Sequence, residues 1–263
     1  MTYLWRVNLV KLGLKLWSIN LNYIYEAKKL YDEGLYYYIE LYSVPGSYEE
    51  YSHHWKKLKI PFFIHAPHFG SGLNFSFPEM FENNKKLVLE AIKFADLLDA
   101  RKIIFHPGVN GKIEETIKQI NKLFDPRMVI ENKPYRGNGE NLFSLGSTPD
   151  EIKKIKSETG VSFCLDFGHA ICSANALGID YVKLIKEFLY LKPVMFHLSD
   201  GNFKGIFDSH LNFGKGTFPL KEIVTFIPEN AFLTIETEKN YKDTLKDFVS
   251  DVNYLHSILR ECF

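Results

Sequence analysis

Residues 162–170 read Ser-Phe-Cys-Leu-Asp-Phe-Gly-His-Ala, and they combine a strand pattern with metal-ligand residue types. The apolar centre of residues 162–166, Phe163 to Leu165, is typical of a strand in a buried parallel sheet. Asp166 closes the predicted strand, and His169 follows across Gly168, which lets the backbone turn tightly. A strand that ends in two metal-ligand residue types is typical of a site built at the carboxyl ends of parallel strands.

The same pattern recurs on both sides of this stretch. Short runs rich in β-branched, aromatic or leucine residues alternate with longer segments of helical spacing, which predicts βαβ units and a parallel sheet. Eight such pairs in 263 residues predict an α/β protein with the (β/α)8 TIM-barrel fold. The predicted strands lie at residues 9–17, 36–42, 60–65, 102–106, 128–131, 162–166, 193–198 and 231–236.

The segments between these strands carry apolar residues at intervals of three and four, so they are predicted to be amphipathic helices. Thr148, followed by Pro149 and two acids, predicts the start of one of them. No linker, repeat or low-complexity tract appears, so residues 1–263 are predicted to form a single domain. The predicted helices lie at residues 22–33, 79–99, 112–123, 148–158, 176–190 and 240–260.

The composition is that of an ordinary globular protein, with 46% hydrophobic and 24% charged residues. No segment approaches the roughly 20 apolar residues of a membrane span, and residues 1–20 lack the order of a signal peptide, so a cytoplasmic location is expected. Lys plus Arg equals Asp plus Glu, 32 each, so the net charge gives no sign of nucleic-acid binding, although it does not exclude a local basic groove. Cys164, Cys172 and Cys262 have no metal-type spacing and are interpreted as structural.

Residues that bind divalent metals lie at the ends of six predicted strands, the third to the eighth. In a closed barrel these ends meet on one face, so the side chains should converge. Imidazoles and carboxylates without cysteine favour a catalytic site for zinc, manganese or iron over structural zinc. Asp208 and His210 are two residues apart, which in an extended segment would point both side chains the same way. The six strand-end residues are His65, His106, Glu131, Asp166, His197 and Glu236.

Seven motifs between residues 60 and 237 carry a family resemblance: HAPH, HPG, EN, LDFGHA, HLSD, DSHLNFGKG and IET. Together they resemble the endonuclease IV and xylose-isomerase-like TIM-barrel superfamily. In the apurinic/apyrimidinic endonuclease branch, AP endonuclease family 2, three ions, usually zinc, hold and hydrolyse a phosphodiester. The resemblance implies a first metal on His65, His106 and Glu131, a second on Glu131, Asp166, His197 and Glu236, and a third on His169, Asp208 and His210.

Two enzyme classes remain open at this point. Sugar isomerases and epimerases of the superfamily use one metal, with manganese or magnesium as alternatives to zinc. Such a site would use the second set of residues alone, with Glu131 and Glu236 moving a proton next to a carbonyl. The multi-metal site needs five further ligands, and their presence favours a metal-dependent phosphoester hydrolase. The same ligand types also occur in barrels called sugar phosphate isomerase/epimerase-like. The five are His65, His106, His169, Asp208 and His210. A barrel that only binds metal or metabolite is the third alternative.

The substrate is expected to be a phosphoester or sugar phosphate, and a nucleic acid is possible. The loops that grip DNA in the endonuclease branch are not recognisable in residues 10–60, and residues 40–54 are acidic. Lys133 and Arg136 follow Glu131, and either could anchor a phosphate, while His68 is placed to contact substrate.

Two asparagines, Asn74 and Asn132, adjoin these motifs. Each could orient a metal ligand through a hydrogen bond, or could simply satisfy the backbone of its own turn.

Overall fold

The computed structural model describes residues 10–262 and shows a closed barrel of eight parallel strands. Each strand pairs with the next one in the sequence, and the eighth pairs with the first. The predicted TIM barrel is therefore confirmed, although residue 9 of the first predicted strand lies outside the described residues. The strands are β1 Val10–Trp17, β2 Tyr38–Tyr42, β3 Phe62–His65, β4 Ile103–Phe105, β5 Met128–Glu131, β6 Ser162–Asp166, β7 Met195–Leu198 and β8 Ala231–Ile235.

Helices follow every strand and cover the outside of the barrel. Short 3-10 turns accompany them at Leu21–Tyr23, Phe69–Ser71, Pro78–Met80 and Val224–Phe226. The α-helices are α1 Ile24–Asp32, α2 Tyr48–Lys56, α3 Phe81–Leu98, α4 Ile113–Lys122, α5 Pro149–Thr159, α6 Phe167–Leu177, α7 Tyr181–Tyr190, α8 Leu220–Ile223 and α9 Lys246–Cys262.

Six of these helices match predicted segments, and α5 begins at the predicted cap. The Thr148 hydroxyl accepts a hydrogen bond from the backbone N–H of Glu151, whose side chain bonds back to the Thr148 N–H. The predicted helix 176–190 begins only at Tyr181, because Gly178 ends α6 in the left-handed region and Asp180 caps α7.

Three helices were not predicted, each for its own reason. All residues of α6 from Phe167 to Ala174 are buried, so α6 lacks the polar face that reveals a surface helix. The helix α2 lies in the stretch interpreted as an acidic loop, and α8 is a single turn.

The side chains inside the barrel form layers, because alternate residues of a strand point to the same face. An apolar layer fills the interior with Tyr38, Phe63, Ile104, Val129, Cys164, Met195 and Phe232. Two positions further along each strand, the inward face carries Glu40, His65, His106, Glu131, Asp166, His197 and Thr234. The strand period therefore places a polar layer directly above an apolar one, at the carboxyl ends of the strands.

Gly13 on β1 leaves the space that the Tyr38 ring occupies inside the barrel. A Cβ atom on Gly13 would lie 2.4 Å from Tyr38 Cζ. We expect Gly13→Ala to lower the free energy of unfolding by about 1–3 kcal/mol, because the ring must move in a packed interior. Urea unfolding measures the loss. Gly139→Ala is the control, since its Cβ would meet Leu142 at an ordinary 3.6 Å; an equal loss there would contradict the explanation.

The cysteines were predicted to be structural, and no membrane-spanning segment was predicted. Cys164 and Cys172 are buried and carry free thiols. Within residues 10–262, no helix has the length and apolar character needed to cross a membrane.

Candidate metal centre

The structure brings the predicted ligand residues together in three clusters at the carboxyl end of the barrel. Within each cluster, one ligand atom from every residue lies within 4.8 Å of one from every other. The three clusters contain the same residues as the three sets that the resemblance implied. The first cluster contains His65, His106 and Glu131; the second contains Glu131, Asp166, His197 and Glu236; the third contains His169, Asp208 and His210.

In the first cluster two imidazoles face one carboxylate oxygen. His65 Nε2 lies 3.3 Å and His106 Nε2 3.1 Å from Glu131 Oε2. On the other side of its ring, His65 Nδ1 donates a hydrogen bond to the carbonyl of Ala66, 2.7 Å away. That bond fixes the ring orientation and leaves Nε2 facing the cluster, as is typical of metal-binding histidines.

The second cluster contains two buried polar atoms that have no hydrogen-bond partner, Asp166 Oδ2 and His197 Nδ1. His197 Nδ1 lies 3.6 Å from Glu131 Oε2 and 3.4 Å from Glu236 Oε2, while its Nε2 donates to Glu40 at 2.9 Å. A buried polar atom without a partner is costly unless something binds it. A divalent cation fits this donor set, because it would bind both orphaned atoms and offset three carboxylates.

The third cluster is organised around Asp208 Oδ2. His169 Nε2 lies 3.0 Å and His210 Nε2 2.6 Å from this oxygen. Their Nδ1 atoms donate to the carbonyls of Asn132 and Glu236, so both rings are held from behind. Burial would lower the pKa of His210, but the charge of Asp208 outweighs it and raises the pKa to about 9. The cluster is thus a strong site for positive charge.

The pairing of Asp208 with His210 arises differently from the prediction. His210 has a φ of +45°, in the left-handed region, so the segment is a turn and not extended backbone. The side chains meet because the chain turns at His210, whereas alternation along a strand would have required extended dihedral angles.

The junction after β6 also differs from the predicted strand-to-loop turn. Asp166 caps α6, and its Oδ1 accepts a hydrogen bond from the His169 backbone N–H at 2.7 Å. Gly168 lies within the first turn of this helix. One helical turn therefore separates the second cluster from the third.

The two asparagines have different roles. Asn132 accepts from the Asp166 backbone N–H at 2.7 Å and donates to the Asp166 carbonyl at 2.9 Å, so it fixes the strand end that carries the ligand. Asn74 bonds to Val109 and Ser76 in neighbouring loops and supports the backbone there.

Lys15 and Glu40, which the sequence analysis missed, form a buried charge pair beside the second cluster. Lys15 Nζ lies 2.6 Å from Glu40 Oε1 and also contacts Glu236. Glu40, His65 and Glu236 also place ligand atoms within 4.8 Å of one another, but the Lys15 ammonium group already pairs with both carboxylates there. Burial would raise the pKa of Glu40, but the charges of His197 and Lys15 outweigh it and lower the pKa to about 2. A signal was present: each member of the pair is a charged residue inside a predicted strand with an apolar residue on either side.

The three predicted substrate contacts lie in different settings. His68 Nδ1 accepts from the Gly70 N–H, and the His68 ring stacks on that of His106 with 6.2 Å between centroids. Lys133 Nζ lies among the ligand residues, 3.2 Å from Glu131 Oε1. The Arg136 guanidinium lies over the Phe143 ring at 4.4 Å, and its buried Nε has no hydrogen-bond partner.

Asp200 holds the loop that presents the third cluster. Its carboxylate accepts hydrogen bonds from the backbone N–H groups of Gly201, Gly214, Gly216 and Phe218, at 2.8–3.0 Å. The Asp200 and Leu211 backbones also bond in both directions. These contacts involve residues that precede and follow Asp208 and His210 in the sequence, so they fix both ends of the loop.

We expect Asp200→Ala to lower the free energy of unfolding by about 3 kcal/mol or more, because buried N–H groups would lose a charged acceptor. Thermal or urea unfolding measures this. Asp180→Ala is the control, since Asp180 accepts one backbone hydrogen bond, from Lys183 at the exposed start of α7. Similar losses in both variants would show that the loop does not depend on Asp200.

Comparisons with known proteins identify relatives of this chain. The chain is 27% identical over 232 residues to a protein named Probable endonuclease 4 from Aquifex aeolicus, covering 79% of this chain and 78% of that protein. It is 27% identical over 119 residues to another of that name from Thermoplasma volcanium, covering 42% of this chain and 39% of that relative.

Solved structures share the fold. A D-tagatose 3-epimerase-like protein superimposes with a TM-score of 0.74 at 17% identity, covering 96% of this chain and 98% of that chain. Endonuclease IV from Thermus thermophilus superimposes with a TM-score of 0.68 at 18% identity, covering 95% of this chain and 99% of that chain. The family described as xylose isomerase-like TIM barrel matches residues 12–257. With this match over nearly the whole barrel, the chain belongs to the xylose isomerase-like TIM-barrel family.

Proposed function

We propose that this chain is a metal-dependent phosphoester hydrolase. The observation that supports it is the presence of the first and third clusters beside the second. A single-metal isomerase requires only the second set, whereas the first and third clusters add five further residues with ligand atoms in range of one another. In these two clusters, backbone carbonyls fix the ring orientations of His65, His169 and His210.

The ligands proposed are the nine residues of the three clusters, with zinc as the ion and up to three ions per chain. Bound divalent ions would supply an activated water as nucleophile and offset the charge on the phosphoryl oxygens. Glu131 would serve the first and second clusters together, because its Oε2 lies within 3.6 Å of ring nitrogens from both. Glu131 and Glu236 are the residues proposed to be essential for catalysis.

His68 is proposed to contact the substrate as a neutral group. Burial, with the nearby charges of His65 and Lys133, lowers the pKa of His68 to about 4. Because its Nδ1 accepts from Gly70, the proton of the neutral ring is on Nε2. His68 can therefore donate a hydrogen bond to a substrate oxygen without adding charge. Lys133 and Arg136 are the proposed cationic contacts.

Two observations guide the choice of phosphoester substrates to test. The resemblance to the apurinic endonuclease branch makes abasic DNA the first substrate to test, and two relatives are named as endonucleases. Glu49 and Glu50 lie in the first turn of α2, which follows β2. Their negative charges would repel a phosphate backbone. A smaller phosphodiester, phosphomonoester or sugar phosphate therefore belongs in the same screen.

A sugar or sugar-phosphate isomerase or epimerase is the second candidate. It is favoured by the two glutamate oxygens, Glu131 Oε2 and Glu236 Oε2, that lie near His197 Nδ1 in the second cluster. Such a pair could remove and return a proton next to a carbonyl. That activity would carry solvent deuterium into a ketose or aldose.

Metal stoichiometry followed by a substrate screen tests the proposal. Protein purified without chelator or affinity metal is measured by elemental mass spectrometry and then assayed with abasic DNA, phosphodiesters and phosphomonoesters. Nearly three zinc-class ions and phosphate-ester cleavage are expected. One manganese- or magnesium-class ion, with deuterium incorporation and no cleavage, would replace the hydrolase with the isomerase. Absence of both activities on broad panels would favour a binding role.

A further inference from the structure

Lys133 lies at the meeting point of all three clusters. Its Nζ is 3.2 Å from Glu131 Oε1, 3.3 Å from His106 Nε2 and 3.2 Å from His169 Nε2. Glu131 belongs to the first and second clusters, His106 to the first and His169 to the third. The Lys133 side chain is only 16% exposed, so its ammonium group lies inside the site and not in bulk water.

This position conflicts with metal binding at two of the clusters. The ring nitrogens that Lys133 approaches are the atoms with which His106 and His169 face their clusters. An imidazole nitrogen has one lone pair, so it cannot bind a metal ion and accept from an ammonium group together. Two cations this close would also repel each other strongly at low dielectric.

In the second cluster Lys133 and Lys15 approach carboxylates, those of Glu131 and Glu236, whose oxygens keep further lone pairs for an ion. Asp166 Oδ2 and His197 Nδ1 have no hydrogen bond to give up when an ion enters this cluster. An ion that enters the second cluster gains two ligand atoms that make no hydrogen bond. An ion that enters the first or third cluster must first separate Lys133 from a ring nitrogen.

We propose that Lys133 is an internal cation that substitutes for metal between the first and third clusters and must swing away before either can load. This rests on the proposed metal clusters but not on the reaction they catalyse. Loading then has an order: one ion in the second cluster first, and the other two afterwards. The two later ions bind cooperatively, because the ion that displaces Lys133 removes the same obstacle for the other.

The release is a movement of the side chain alone. The Lys133 backbone N–H donates to the Gly146 carbonyl at 3.2 Å, and its carbonyl accepts from the Ser173 hydroxyl at 3.1 Å. With the backbone held on both sides, the four-carbon stem provides the necessary reach.

Zinc titration of metal-free Lys133→Met against a chromogenic chelator tests the proposal. We expect the two later equivalents to bind at least about tenfold more tightly than in wild type and without cooperativity, while the first equivalent changes little. Lys154→Met is the matched control, since Lys154 pairs with Glu114 on the surface. Equal or weaker binding of the later equivalents in Lys133→Met would overturn the proposal.

A measurement on the wild-type chain covers the case in which the variant does not fold. Amine labelling of Lys133, read by peptide mass spectrometry, should rise at least several-fold between one and three zinc equivalents, because the amine loses its partners. Unchanged or falling labelling would overturn the proposal. If loading follows this order but no phosphoester is cleaved, the hydrolase proposal fails alone; if cleavage occurs with non-cooperative loading, the Lys133 inference fails alone.

Discussion

Glu131→Gln is expected to abolish turnover, with a loss of more than about 100-fold in kcat and of at least one bound ion per chain. Glu131 is fully buried and belongs to two clusters. Besides His65, His106 and Lys133, it meets His169 Nδ1 at 2.9 Å. The glutamine amide has the same shape but no negative charge. It also places an N–H group where the carboxylate oxygen faces the His65, His106 and His169 rings and the Lys133 ammonium group. The measurements are kcat on the substrate that the screen identifies and the metal content of the same sample.

Glu158→Gln is the matched control, because it makes the same chemical change at an exposed position of α5. Its activity and metal content should equal those of wild type. Near wild-type turnover in Glu131→Gln with a full complement of metal would contradict the shared role of this carboxylate in both candidate reactions.

His210→Ala should separate the two enzyme classes. The variant is expected to lose one ion and about 100-fold in phosphoester hydrolysis if the third cluster takes part, because Asp208 would lose the partner that lies 2.6 Å away. An isomerase that uses the second cluster alone should keep most of its activity. The His210 side chain is 40% exposed, so its removal should leave the barrel folded.

His256→Ala on α9 provides the control for removing an imidazole outside the clusters. It should retain both metal content and hydrolysis. Full hydrolysis by His210→Ala with one ion missing would show that the third cluster is dispensable, and loss of hydrolysis with an intact metal count would assign His210 a role other than metal binding.

The sequence predicted the strands and the strand-end residues well, because both depend on local patterns. β5 and β6 end at the predicted Glu131 and Asp166. Parallel strands that close into a barrel bring such ends together whatever the loops do. The first two clusters therefore followed from strand order and residue type, whereas the resemblance supplied the third cluster and the grouping of all three.

The remaining features depend on contacts that no short window of sequence contains. Lys15 and Glu236 are separated by 221 positions yet touch across the closure of the barrel. α6 escaped detection because its burial on all sides erased the helical pattern. Asp208 and His210 converge through the left-handed turn at His210, a backbone state that residue type alone does not specify.

Lys15 and Glu40 lie on β1 and β2, the two strands that contribute none of the nine predicted ligands. Charged residues that are not predicted ligands therefore contribute to the electric field at the metal centre. Substitutions on these two strands can alter that field one residue at a time while the ligand set stays complete. In evolution, a new substrate preference in such a barrel can therefore arise along a path on which every intermediate keeps its coordinating residues.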